Sequence, residues 1–356
     1  MKIKYFKYLI DPEDNSPLDL KVYKKNDEEA VDGVLIGKQN WYPIIDGIPR
    51  MLTGQEKINL LQRKYSFLNK YKNTLPSNIV SEWKQIVKET KLRTAFEIHQ
   101  RKTADSFAYE WTNIYKENRF EKNNFYHFLS PFIKESDFNG KVIVDIGCGS
   151  GRFTKWAALG GAKVAFGVDL GDSVEVAYEM TKSLGNVAIV QANIYALPLN
   201  GEIDIAYSIG VLHHIPEPKR GFLKLIKVLR EKGKMLIWVY SRRHNNRAIY
   251  LYEPLRTISR HIPKPILYKL CYIPATIVHL WNIFCKTLKL KKMPFFYYEN
   301  FSFNMKLNDA FDVLATPKSN YYYSEEIERW FKEAKLKSIK SFEHPEAGIT
   351  CIGTHV

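Results

Sequence analysis

The chain has 356 residues, of which 45% are hydrophobic and 14% aromatic, so it can bury one substantial core with smaller units beside it, and disorder is excluded. Lys and Arg number 53 against 38 Asp and Glu, a formal charge of +15, which favours phosphate-bearing partners without fixing a mechanism. Four cysteines, Cys148, Cys271, Cys285 and Cys351, lack the spacing of a zinc site or a secreted disulfide framework, so a reducing cytoplasm is expected. The opening MKIKYFKYLI DPEDN has no uninterrupted apolar stretch of signal-peptide length, and export by that route is not expected.

Residues 1–52 read as a small β-rich unit, with short apolar runs punctuated by Pro and Gly and closing on Tyr42-Pro-Ile-Ile-Asp-Gly-Ile-Pro49. Residues 53–138 are charged, aromatic-rich and helical in period, broken at Pro76, and cluster Phe107, Tyr109, Trp111 and Tyr115 near their end. Such a helix either packs its aromatics on a sheet or closes over a ligand. The most informative stretch follows: Val142-Ile-Val-Asp-Ile-Gly-Cys-Gly-Ser-Gly-Arg152 is a strand ending near an acid and emptying into glycines spaced two apart. The spacing differs from the Gly-x-Gly-x-x-Gly of a dinucleotide site, which makes a diphosphate the poorer ligand. Val164-Ala-Phe-Gly-Val-Asp169 repeats the strand-then-acid pattern. Ala188–Asn193 and Ile203–Ser208 are further strands, the latter running into Val211-Leu-His-His-Ile-Pro216, and Met235–Tyr240 is a fifth. Residues 241–317 are then an insertion, strongly basic up to Phe295, where Glu253 is the only acid. Its uncharged run Leu270–Cys285 falls short of the ~20 residues that span a bilayer, so it is expected to form a helical cap that packs on the core, lines an apolar pocket or lies on an anionic membrane. Ser324 caps a helix, and Ser338–Phe342 and Ile349–Gly353 are the closing strands.

Asp145 to Arg152, Gly167 to Leu170, Ala192 to Leu199 and Ser208 to Pro218 together resemble the ordered motifs of the class I S-adenosylmethionine-dependent methyltransferases, in their small-molecule branch. The resemblance is close over residues 140 to 240 and resumes weakly over 318 to 356. It implies an α/β fold: a Rossmann-like seven-stranded methyltransferase sheet with helices on both faces, formed by 139–240 and 318–356. It also implies S-adenosyl-L-methionine as cofactor. Asp145, Gly147, Gly149 and Gly151 fall on the glycine-rich loop that holds its methionine part, Asp169 on the acid that accepts both ribose hydroxyls and Asn193 against the adenine, with Cys148, Leu170, Ile194 and Ser208 as further cofactor-binding candidates. Asn193 stands where the family usually has Asp, and its amide can still accept from and donate to adenine. Residues 1–52 resemble the zinc-ribbon-like module that precedes some of these enzymes, but Asp11 and Asp14 occupy the positions of its cysteines. No structural zinc is therefore expected, and a docking role is.

In-line methyl transfer asks the protein to align an acceptor and remove its proton. The candidate bases are His214 and, behind it, His213. Tyr109, Trp111, Arg242 and Tyr250 are the candidate substrate contacts. The expected activity is methylation, chiefly of an oxygen, on a small or lipid-linked metabolite, with a cytoplasmic or peripheral-membrane location. RNA is the first rival, disfavoured because Ser208-Ile-Gly-Val211 lacks the Asn/Asp-Pro-Pro-Tyr pattern of base-amine methylation. A noncatalytic binding protein that keeps the cofactor fold is the second.

Overall fold

The computed structural model describes residues 1–88, 94–114, 121–243, 245–246, 248–290, 293, 295, 299, 302–345 and 348–356; Tyr115 lies outside them. The amino-terminal unit is a meander of β1 (Asp19–Asn26), β2 (Glu29–Ile36), β3 (Trp41–Ile45) and β4 (Ile48–Met51). The last hairpin turns on Asp46 and Gly47, whose φ angles of 52° and 80° are what a two-residue reverse turn matched to strand twist requires.

The central strands are β5 (Val142–Ile146), β6 (Val164–Asp169), β7 (Val187–Ala192), β8 (Ile203–Ile209) and β9 (Leu229–Tyr240), closed by β10 (Lys337–Glu343) and β11 (Gly348–Thr354). Among the described residues all these strands form one eleven-stranded sheet in the order β1-β2-β3-β4-β7-β6-β5-β8-β9-β11-β10. The pairs from β4 to β9 are parallel, and β11 runs antiparallel to β9. The seven strands from β7 to β10 are the methyltransferase sheet expected from the sequence.

The amino-terminal unit, expected as a separate module, instead extends that sheet. β4 lies parallel to β7 with Arg50 opposite Gln191, and the buried Arg50 guanidinium donates to Gln191 Oε1 at 3.0 Å and to Glu175 Oε1 at 3.2 Å. These partners are 141 residues apart in the chain, and parallel pairing at that distance leaves no local trace in sequence. Asp11 is buried and accepts from Tyr42 Oη at 2.8 Å and from the Glu13 amide at 2.9 Å, while Asp14 accepts from the Ser16 amide at 2.7 Å. Both carboxylates shape the loop that carries them.

Alternation along β5 and β6 explains their unbroken apolar runs, because side chains leave a strand on opposite faces and both faces are covered. Val142, Val144, Ile146 and Phe166 enter one core, packed with Phe222 of α8 (Pro218–Leu225) and Phe331 of α12 (Ser324–Glu333). Ile143, Ala165, Ile205 and Tyr207 enter the other, under Phe125 of α5 (Glu121–Leu129) and Phe153 of α6 (Arg152–Leu159). From β5 the chain winds outward through β6, α7 (Ser173–Thr181) and β7, then crosses back to β8 on the other side of β5. That reversal opens a crevice at the strands' carboxyl ends, where ligands of such sheets bind.

Three short helices, α1 (Gly54–Arg63), α2 (Tyr65–Tyr71) and α3 (Ser77–Ile86), cover the amino-terminal strands through Leu61, Phe67 and Trp83. The long α4 (Ala95–Asn113) starts at a capping box, in which Thr94 Oγ1 accepts from the Glu97 amide and the Glu97 carboxylate accepts from the Thr94 amide. The insertion after β9 forms α9 (Glu253–Ser259), α10 (Lys264–Thr287) and α11 (Phe303–Ala315), with Leu267, Cys271 and Ala275 of α10 packed on Leu307 and Phe311 of α11 and on Ile114. Among the described residues, no helix is long and apolar enough to cross a membrane.

Candidate active site

The glycine turn after β5 does two jobs. Gly147, Gly149 and Gly151 have φ of 79°, 54° and 79°, the left-handed region that a side chain resists. A Cβ on Gly151 would meet Ala177 at 2.9 Å, so that glycine lets α7 pack close, whereas a Cβ on Gly149 would meet Trp111 Nε1 at 2.7 Å. The indole of α4 therefore rests directly on the turn.

Above it lies a cavity of about 280 Å³. Gly147, Gly149, Asp169, Leu170, Asn193 and Ile194 form its floor and one end. The Asp169 carboxylate accepts from the Gly149 amide at 3.0 Å and the Gly171 amide at 2.8 Å; burial pushes its pKa up against the pull of these donors. Asn193 is held in a reciprocal amide pair, its Oδ1 accepting from Gln100 Nε2 at 2.9 Å and its Nδ2 donating to Gln100 Oε1 at 3.2 Å. Gln100 belongs to α4, which also contributes Thr103, Phe107, Glu110 and Trp111 to the lining. Two of the four aromatics that cluster in sequence, Phe107 and Trp111, thus line the cavity.

The other end is built by the loop after β8, the end of β9 and α11. His214 and Tyr240 line it together with Trp238, Asp309 and Asp312. Glu110 is buried, accepts from Asn308 Nδ2 at 2.8 Å, and holds its proton well above the usual carboxyl range because of burial and the nearby Asp312. The guanidinium of Arg152, a further lining residue, lies 4.9 Å from the Trp111 ring. The insertion, basic in sequence, thus presents carboxylates to the chamber.

Of the two histidines only His214 reaches the cavity. Its Nδ1 lies 3.3 Å from the Lys318 carbonyl and 3.2 Å from Ser319 Oγ, which leaves Nε2 for a ligand, and burial lowers its pKa to about 4. It is therefore an uncharged imidazole at neutral pH and a weak proton acceptor. Ser319 Oγ in turn accepts from the buried Arg256 at 2.6 Å. His213 does not line the cavity: both ring nitrogens are buried without a hydrogen-bond partner among the described residues, the ring packs 3.9 Å from that of Tyr240, and burial holds its pKa far down.

Several expected contacts lie elsewhere. Asp145 is below the turn, where strand alternation turns it toward α6 to accept from Thr154 Oγ1 at 2.7 Å. Cys148 and Gly151 are buried beside it, and Ser208 Oγ donates to the Ile146 carbonyl at 2.9 Å, tying β8 to β5. None of the four lines the cavity. Tyr109 packs on Phe311 with ring centres 5.6 Å apart, on the flank of α4 that faces the insertion. Arg242 and Tyr250 are exposed, Tyr250 at 76%, and neither lines the cavity. Gln100, Glu110, Arg152, Tyr240, Asp309 and Asp312 were not found from sequence; the helical period of α4 and the Arg directly after the glycine turn were the available signals.

The cavity fits an adenosyl ligand on this chain's own features: a turn where any Cβ would intrude, an inward carboxylate beside it, and a side-chain amide further along. Residues 144–237 match the family described as methyltransferase domain. The tRNA U34 carboxymethyltransferase of Ruthia magnifica subsp. Calyptogena magnifica is 28% identical over 116 residues, 32% of this chain and 36% of that protein. Its counterpart in Shewanella sp. (strain W3-18-1) is 30% identical over 133 residues, 36% of each. The chain thus spans about a third of the length of these relatives. The solved magnesium protoporphyrin IX methyltransferase of Synechocystis, with S-adenosylmethionine bound, aligns with a TM-score of 0.44 at 11% identity, over 75% of this chain and 100% of that one. Strand order and the match over residues 144–237 give the chain the Rossmann-like α/β fold of a methyltransferase domain.

Proposed function

We propose that the chain methylates an oxygen of a small or lipid-linked metabolite held beneath α4 and α11. The observation that carries this reading is the acceptor end of the cavity, covered by these two helices and lined by Glu110, Asp309 and Asp312. The carboxylates of Asp309 and Asp312 repel a phosphate backbone and favour hydroxyl-bearing acceptors, whose hydrogen bonds they accept, while the protonated Glu110 adds no charge. The cofactor of this reading is S-adenosyl-L-methionine, which supplies an electrophilic methyl group on a sulfonium. In this reading Asp169 accepts from the ribose hydroxyls, Asn193 and Gln100 face the adenine, and the turn at Gly147 and Gly149 admits the amino-acid end. Trp111, Phe107 and Tyr240 exclude water and fix the line of approach. His214 Nε2 orients the acceptor hydroxyl, and its proton passes to the carboxylates of α11.

A second reading is methylation of RNA, favoured by the names of the relatives, which act on tRNA, and by the charge of +15. It runs against the sequence-based expectation that a nucleic-acid partner is unlikely. Transfer of labelled methyl from S-adenosylmethionine decides between them, with bulk tRNA in one arm and hydroxylated metabolites and lipid extracts in the other. Label in the second arm, abolished by Asp169→Ala, supports the first reading. Label confined to tRNA, with an affinity for it that falls steeply with salt, overturns it.

A further inference from the structure

One face of α10 is left exposed by the described residues. Leu267, Cys271 and Ala275 are buried against α11 and Ile114, as expected of a packed helix. On the opposite side Ile266, Leu270, Ile273, Ile277, Leu280 and Phe284 follow one another at alternating intervals of four and three, so they share a single stripe, and each is between 44% and 62% exposed. Single exposed apolar residues are ordinary, but a continuous row of six aliphatic and aromatic side chains marks an interaction surface. The helix has 24 residues and is thus roughly 36 Å long at 1.5 Å per residue.

Charge decides what the stripe meets. No Asp or Glu occurs from Lys264 to Leu290, while Lys269, Lys286 and Lys289 are exposed beside the stripe or at its end, and Arg260 precedes it. We propose that α10 lies in the plane of an anionic bilayer surface, its aliphatic stripe among the acyl chains and its lysines at the headgroups. A second copy of this chain would bring the same lysines together with no acid to pair them, which disfavours a helix–helix seam. A nucleic acid would engage the lysines and leave the stripe in water. A bilayer surface satisfies both, as for other helices with an apolar face and a basic flank. The docking does not depend on which acceptor is methylated. If the acceptor is lipid-linked, α11, which carries Asp309 and Asp312, lies directly behind the docked helix.

The test is sedimentation of the full chain with vesicles of phosphatidylcholine alone or mixed with phosphatidylglycerol. The chain is expected to bind the mixed vesicles and not the neutral ones. The pair Ile273→Glu and Ile277→Glu, and separately Lys269→Glu and Lys286→Glu, should each weaken that binding by at least about tenfold. Both pairs change exposed residues, so helix content and the heat of S-adenosylmethionine binding should be unchanged; this separates loss of docking from misfolding or failure of the catalytic reading. Absence of binding to the mixed vesicles, or binding that the isoleucine pair does not affect, overturns the proposal. So does a dimer in light scattering that the isoleucine pair converts to monomer without any vesicle binding, which would assign the stripe to a second copy.

Discussion

Asp145→Asn isolates the electrostatic cost of an acid placed beneath the ligand. The Asp145 carboxyl is buried and its pKa is pushed up to about 7, chiefly by burial, with Asp169 adding repulsion and the Thr154 hydroxyl and Arg152 pulling the other way. In the unfolded chain the value returns to about 3.9. The folded value is the higher one, so the native state holds this proton more tightly than the unfolded state. The associated stability is complete below about pH 4 and is lost as pH rises toward 7. At about 1.4 kcal/mol per pH unit, integration from about pH 5 to about pH 7.5 gives a loss of about 2 to 3 kcal/mol. Asn keeps a carbonyl that can accept from Thr154 Oγ1 and carries no charge, so it lacks this dependence. Urea unfolding of both proteins followed by tryptophan fluorescence should show the variant gaining on the parent by that amount across the range. A stability difference that stays flat with pH would refute the assignment. The same carboxyl couples to the ligand: a bound sulfonium favours its ionised form, so S-adenosylmethionine affinity should rise between about pH 6 and pH 8, with proton release detectable by calorimetry in buffers of different ionisation heat.

Gly149→Ala places a methyl 2.7 Å from Trp111 Nε1 at a φ of 54°; we expect S-adenosylmethionine affinity to fall at least about tenfold and the melting temperature to drop, both measurable by thermal shift with and without ligand. Asp169→Ala removes the acceptor of two backbone amides and, in the proposed assignment, of the ribose hydroxyls, for a loss of about 10- to 100-fold in affinity by calorimetry; an unchanged affinity would refute that assignment. Gln100→Ala frees Asn193 from its amide pair and should weaken cofactor binding about two- to tenfold, mainly through faster dissociation in stopped-flow traces. Arg256→Met strips the buried donor from Ser319 Oγ and Glu253, and should cost about 2 to 3 kcal/mol in urea melts and expose the α9–α11 insertion to limited proteolysis. Arg242→Ala and Tyr250→Ala change exposed side chains remote from the cavity, and kcat/KM for the identified acceptor should stay within about twofold of the parent.

The parts of this protein written in its sequence are those with local causes. Turn chemistry exposes the glycine bend and the Asp46-Gly47 hairpin, and unbroken apolar runs mark β5 and β6 as strands covered on both faces. An acid at the end of β6 places Asp169 at the mouth of the crevice without any knowledge of its neighbours. Tertiary structure alone decided the pairing of β4 with β7, because partners far apart in the chain share no period. It also decided which of two adjacent histidines lines the cavity, since Leu212–His214 is a single short helical turn that packs against Tyr240 and Ser319. The sign of the charge inside the chamber followed the same rule: the insertion is basic by count, yet α11 turns Asp309 and Asp312 inward while the exposed Arg242, Lys269 and Lys286 do not line the chamber. Composition reports how much charge a segment carries; only the packing of its helices selects the side chains that meet a substrate.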